Sequence, residues 1–133
     1  LEKPEWEGTM DAVIVDVPCS GYGIIRKKPD IRYKDLAELN ELVELQRQIL
    51  ENAAASLAPG GTLVYSTCTI LPAENGDVVT AFLAAHPEFE PFNFTFPAKD
   101  ETVCDIVSEG GMVTLLPDAN RTDGFFIARL RRK

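Results

Sequence analysis

Cysteine thiolates are strong nucleophiles, and two of the three cysteines in this 133-residue chain directly follow apolar, β-branched runs. Cys19 stands in DVPCSGYG after AVIVDV, and Cys68 stands in YSTCT after TLVYS. Each would hang at the carboxyl end of a strand, which is where open α/β sheets build their sites. Asp16, Pro18 and Ser20 accompany the first thiol, and Ser66, Thr67 and Thr69 the second. Neighbouring strands lie about 4.8 Å apart, so adjacent strands here would bring both sulfurs to one rim. Two cysteines placed alike by separate strands are harder to dismiss than one. Taken singly, each thiol reads more readily as a small buried hydrophobe than as a nucleophile or helper, because free cysteine is among the most buried residue types. Arg26, Lys27 and Lys28 are close enough in sequence to stabilise a thiolate. Cys104, among Asp100, Glu101 and Asp105, lacks that support and is given no role. Three widely spaced cysteines fit neither a disulfide framework nor a zinc pattern, so no metal site is expected. The one histidine, His86, precedes Pro87 at a helix end with no path to either thiol, which disfavours a cysteine hydrolase.

The elements that must position these residues follow from hydrophobic period. AVIVDV at 12–17 is a short unbroken apolar run, the pattern of a strand covered on both faces. TLVYST at 62–67 repeats it. Between them Leu39, Leu42, Val43, Gln46, Ile49, Leu50 and Ala53 recur at helical spacing, with Asp35 and Glu38 as a capping box and Pro59, Gly60 and Gly61 as the stop. The unit is strand, helix, strand, a crossover in a parallel sheet. A second helix is expected from about Ala73 to Ala85. Residues 90–111 read as loop. GMVTLLP and GFFIARLRR read as two strands pairing antiparallel. The fold class is α/β, with a mixed sheet of about four strands and a carboxyl-terminal antiparallel hairpin.

The formal net charge of −8 argues against general affinity for polyanions, but the charge is unevenly spread. Residues 26–34 carry five basic side chains against Asp30, and residues 129–133 carry four more, whereas residues 35–125 hold 15 acidic and three basic ones. Two basic stretches on an acidic body suit phosphate contact at one place, or plain solvated surface. No stretch approaches the roughly 20 apolar residues of a membrane span, so no membrane partner is expected. The chain opens without an initiating Met or a signal-like segment and is expected to be part of a longer cytoplasmic protein.

DVPCSGYGIIRKKPDIRY, followed by LQRQILENAAASLAPGGTLVYSTCTILPAENGDVV and TDGFFIARL, resembles the carboxyl half of the catalytic domain of the NOL1/NOP2/Sun family of RNA cytosine methyltransferases. The likeness runs over nearly the whole chain, and the Pro-Cys and Thr-Cys motifs in that order carry it. It implies a partial Rossmann-like fold and methyl transfer from S-adenosylmethionine to carbon 5 of a cytosine in RNA, with ribosomal RNA as the expected partner. It also implies roles. Cys68, of the Thr-Cys motif, is the attacking thiol, and Cys19 assists release of the methylated product. Asp16 lies near the cofactor methyl group and the target base, and Pro18 shapes the turn toward the base. Arg26, Pro29 and Asp30 match a segment that holds RNA backbone, although Lys27 and Lys28 depart from its commoner Arg-polar pair. Asn75, Gly124 and Phe125 fall on further family positions.

A methyltransferase of this class also needs a Gly-rich turn after its first strand. APGG at 58–61 follows a helix instead and reads as a helix end, so residues 1–133 are expected to be the half without most of the cofactor site, inactive in isolation. The AVIVDV strand would then present a bare apolar edge, to be covered by self-association. Two alternatives remain. A DNA cytosine methyltransferase uses a Pro-Cys nucleophile but does not add Thr-Cys after the next strand, and a non-catalytic RNA-binding or assembly module would not bind S-adenosylmethionine.

Overall fold

The computed structural model describes residues 4–25, 27–30, 35–97, 105–120 and 122–133. Cys104 and Arg26 lie outside them. The first strand, β1 (Met10–Asp16), runs parallel to β2 (Leu57–Thr67), with helix α1 (Leu36–Ser56) as the crossover. After β2 a 3-10 turn, Pro72–Glu74, leads into α2 (Gly76–Ala85). Then follow β3 (Phe89–Pro91), β4 (Thr95–Phe96), β5 (Ile106–Val107), β6 (Met112–Leu115), the single turn α3 (Pro117–Asn120) and β7 (Phe125–Arg132).

The main sheet has five strands in the order β1-β2-β7-β3, with β6 also on β7. Strand β7 is antiparallel to β2 along one side, and on its other side β6 and β3 pair with successive stretches of it. The carboxyl-terminal hairpin is therefore as expected, and β3 makes the sheet one strand larger. Strands β4 and β5 form a separate two-stranded ribbon within the segment read as loop. Their short length and lack of alternation hid them.

Period-2 alternation builds the core. Leu63, Tyr65 and Thr67 of β2 and Phe126, Ala128 and Leu130 of β7 are buried. Against the apolar members pack Leu50 and Ala54 of α1 and Val78, Val79 and Phe82 of α2, so both helices cover one face of the sheet. Helix α1 begins where Asp35, as N-cap, accepts the Glu38 N–H at 2.8 Å. It does not stop at Pro59. Leu57 already caps it in extended backbone, and residues 58–61 belong to β2 as an irregular stretch. There the pairing jumps from Met10–Leu57 to Ala12–Thr62, and Gly60 takes a φ of 82° that suits glycine.

Strand β1 departs from the expectation of cover on both faces. Among the described residues it pairs on one side only, and Ile14 is 75% exposed. Its inward-facing Val13 and Val15 pack on the core, and between β1 and α1 runs an open groove of about 670 Å³ lined by Trp6, Met10, Ile14, Leu45 and Ile49 among others.

Candidate active site at the paired thiols

Strands β1 and β2 end side by side, with Asp16 opposite Ser66 in register and Ser66 Oγ donating to Asp16 Oδ1 at 2.9 Å. Val17 N–H donates to the Ser66 carbonyl at 3.1 Å, so the pairing carries one residue further before Pro18 breaks it. The next residue on each strand's exit is a cysteine. Cys19 Sγ and Cys68 Sγ lie 3.1 Å apart, and the Cys68 N–H donates to Cys19 Sγ at 3.3 Å. Both cysteines are free and half-buried. Burial, then the hydrogen bond with the Cys68 thiol, pushes the Cys19 thiol up to about 12, so at neutral pH Cys19 is an S–H group beside the other sulfur.

Two short buried networks hold the loops. Around Cys68, Thr67 Oγ1 donates to Asn75 Oδ1 at 2.6 Å and Asn75 Nδ2 donates to the Thr69 carbonyl at 2.9 Å. Around Cys19, Glu74 Oε1 accepts from the Ser20 N–H at 2.7 Å, and Glu74 Oε2 accepts from Ser20 Oγ at 2.5 Å. Gln46 Nε2, from α1, donates to Glu74 Oε1 and to the Pro18 carbonyl, each at 3.0 Å. Ser20 Oγ and Thr69 Oγ1, 3.1 Å apart, join the two networks. Tyr65 OH donates to the Glu74 carbonyl at 2.6 Å. Glu74 and Gln46 were not singled out from sequence. Gln46 does break the apolar stripe of α1 with an amide, which is the one visible signal, since a polar residue on a buried face needs a partner.

A turn at Gly23 closes the site. Gly23 N–H donates to the Cys68 carbonyl at 2.9 Å, and Gly124 N–H donates to the Gly23 carbonyl at 2.7 Å. A Cβ on Gly23 would stand 2.0 Å from the Gly124 carbonyl oxygen, so the two backbones can meet only as glycines. Lys27 forms an ion pair with Asp123 beside this turn. Pro29 and Asp30 are exposed farther along the same loop. Of the expected site residues, then, Asp16, Pro18, Cys19 and Cys68 gather at one rim, while Pro29 and Asp30 sit on the surface. The two phenylalanines of GFFIARL divide: Phe126 is buried against Tyr65, and Phe125 is 37% exposed. The basic tail is largely engaged within the protein. Arg129 stacks on Phe92 at 4.0 Å, Arg131 pairs with Glu90, and Arg132 donates to the Leu57 carbonyl.

Among the described residues no group of three or more His, Cys, Asp or Glu side chains is arranged to hold a metal ion, and no helix is long and apolar enough to cross a membrane.

The chain is 44% identical over 124 residues to a probable ribosomal RNA small subunit methyltransferase B of Bacillus subtilis (strain 168), covering 92% of this chain and 28% of that protein. It is 40% identical over 126 residues to ribosomal RNA small subunit methyltransferase F of Cronobacter sakazakii, covering 92% of this chain and 25% of that one. Among solved structures, PH0851 superposes with a TM-score of 0.77 at 37% identity over 95% of this chain and 27% of its own. NSun6 from Pyrococcus horikoshii with SFG superposes with a TM-score of 0.71 at 27% identity, over 90% of this chain and 29% of its own. The chain thus spans less than a third of the length of these relatives. Its α/β architecture is that of Rossmann-like methyltransferases. With its motifs at one rim and the family's model matching residues 2–131, the chain belongs to the 16S rRNA methyltransferase RsmB/F family.

Proposed function

We propose that this chain is the thiol-bearing part of an enzyme that methylates carbon 5 of a cytosine in ribosomal RNA. The observation that carries the reading is the 3.1 Å approach of Cys19 Sγ to Cys68 Sγ at adjoining strand ends. Residues 1–133 act as the carboxyl-terminal half of a catalytic domain, and the Gly-rich turn for the cofactor comes from elsewhere in the enzyme. S-adenosylmethionine is the cofactor, in keeping with the analogue SFG in the NSun6 relative, and when bound it supplies a methyl group on a sulfonium sulfur. Of this chain, exposed Asp16 at the end of β1 is the residue that reaches it or the amino edge of the base. One carboxyl group beyond a strand end fits part of such a site and no more of it.

Carbon 5 of cytosine is a weak nucleophile. Cys68, as thiolate, adds to carbon 6 and drives electron density onto carbon 5, the position methylated. The carbon 5 proton then passes to a base, the 5,6 double bond re-forms, and the bond from carbon 6 to sulfur breaks with its electron pair leaving on Cys68 Sγ. Cys19, an S–H at hydrogen-bond distance, donates to that departing sulfur. The target nucleotide must be turned out of any helix to reach the rim, and Arg26, Pro29 and Asp30 hold the neighbouring RNA backbone. The enzyme works in the cytoplasm without a membrane partner.

The test is adduct trapping on RNA containing 5-fluorocytosine, with the enzyme completed to the full length of its relatives. Cys68→Ala abolishes the covalent adduct. Cys19→Ala accumulates adduct even on ordinary RNA, and the reverse pattern would exchange the two roles.

A further inference from the structure

Consecutive residues between β2 and α2 bond mainly to the loop of one thiol each, with the Ser20–Thr69 contact as the link between the two loops. Asn75 bridges Thr67 and Thr69, the residues flanking Cys68. Glu74 holds Ser20 by its N–H and its hydroxyl, and Gln46, bonded to Glu74, holds the Pro18 carbonyl. Pro18 and Ser20 flank Cys19. The backbone on either side of the Cys19 Cα is thereby tied to one buried pair, and both members are 0% exposed.

A loop after a strand has no ladder to fix its dihedrals, so these bonds hold the backbone from which the Cys19 side chain projects, and the Cys68 N–H meets its sulfur. The Gln46 amide can face only one way: Nε2 meets two acceptors, whereas a flipped amide would set Oε1 against them. Oε1 is left buried without a partner. A hydrophobic pair of similar volume would leave the Ser20 N–H, its hydroxyl and the Pro18 carbonyl without these partners, so the pair both satisfies and fixes this stretch of backbone.

We propose that Gln46 and Glu74 are the positioning residues for Cys19, and hence for release of the methylated RNA rather than for formation of the adduct. This rests on the division of labour proposed above, in which Cys68 attacks and Cys19 assists release.

Kinetics separate this role from a structural one. With slowed release, kcat and KM fall together while kcat/KM, which reports the steps through methylation, stays unchanged. The experiment compares wild type, Cys19→Ala, Glu74→Gln and Gln46→Leu in the enzyme completed to the full length of its relatives. Glu74→Gln and Gln46→Leu are expected to accumulate adduct on ordinary RNA, as Cys19→Ala does. Their kcat and KM should each drop about tenfold and kcat/KM should change less than about twofold. A fall in kcat at constant KM without adduct, the signature of lost folded enzyme, overturns the proposal. Should these variants fail to fold, Ser20→Ala carries the test: it deletes one bond from Glu74 to the Cys19 loop together with the Ser20–Thr69 contact, so it is read with kcat/KM unchanged, which shows the Cys68 step intact. Adduct above the wild-type level then supports the role, and adduct at the wild-type level overturns it. If Cys19→Ala itself traps nothing, the assignment of the thiols fails and takes the proposal with it. If Cys19→Ala traps adduct and the clamp variants do not, the positioning role alone fails.

Discussion

At the scale of the residue, Cys19 is defined by what its surroundings do to its proton. Its ordinary value is 9.0 and burial beside Cys68 raises it to about 12. Below pH 9 both the folded and the unfolded chain hold this proton. Between the two values the unfolded chain gives it up and the folded chain keeps it, so stability is fully present below pH 9 and is lost as pH rises toward 12. Tyr65 is shifted upward as well, chiefly by burial. Wild-type enzyme should therefore lose stability in denaturant titrations between pH 9 and 11 more steeply than Cys19→Ala. The difference in slope cannot exceed about 1.4 kcal/mol per pH unit for one group, and equal slopes would contradict the burial of this thiol. That the two cysteines and Asp16 would meet at one rim was readable from their motifs. Glu74 was not, because a lone acidic residue in a turn looks like surface until Ser20 and Gln46, 54 and 28 residues away, are seen to surround it.

At the scale of the element, regular period was legible and irregular contact was not. The stripe from Leu39 to Ala53 and the N-cap at Asp35 announced α1, and the apolar run in TLVYST announced β2. Strand β3 escaped notice because three residues carry no period, and only β7 beside them makes a strand. The turn after Cys19 is a further case. Gly23 touches Gly124 and the Cys68 carbonyl, and Gly23→Ala would set its Cβ 2.7 Å from that carbonyl oxygen. Both obstacles are backbone, so the turn must move. Displacing a reacting group by about 1 Å costs on the order of 100-fold in rate. Gly23→Ala should therefore reduce turnover at least about tenfold, while circular dichroism shows the helices intact. Turnover near the wild-type rate would mean that this turn does not govern the thiols.

At the scale of the whole molecule, the sheet is unevenly covered. A parallel strand is ordinarily buried on both sides, yet among the described residues β1 leaves one edge unpaired, exposes Ile14 and borders an apolar groove of about 670 Å³. Such an edge is a template for another strand. The isolated 133-residue chain should self-associate in sedimentation and transfer no methyl group, and Ile14→Lys should shift it toward monomer. A wild-type monomer with β1 ordered would refute the idea. By itself the sequence determined the strand-helix-strand unit, the hairpin and the two cysteines, because hydrophobic period and short motifs are local properties of the chain. Only the tertiary structure decided that the sulfurs lie 3.1 Å apart, that Gln46 and Glu74 bond to the residues flanking Cys19, and that the arginines of the tail are engaged within the protein. Those facts depend on pairs far apart in sequence, and hydrogen bonds between such pairs follow from strand register and helix packing, which no local pattern records.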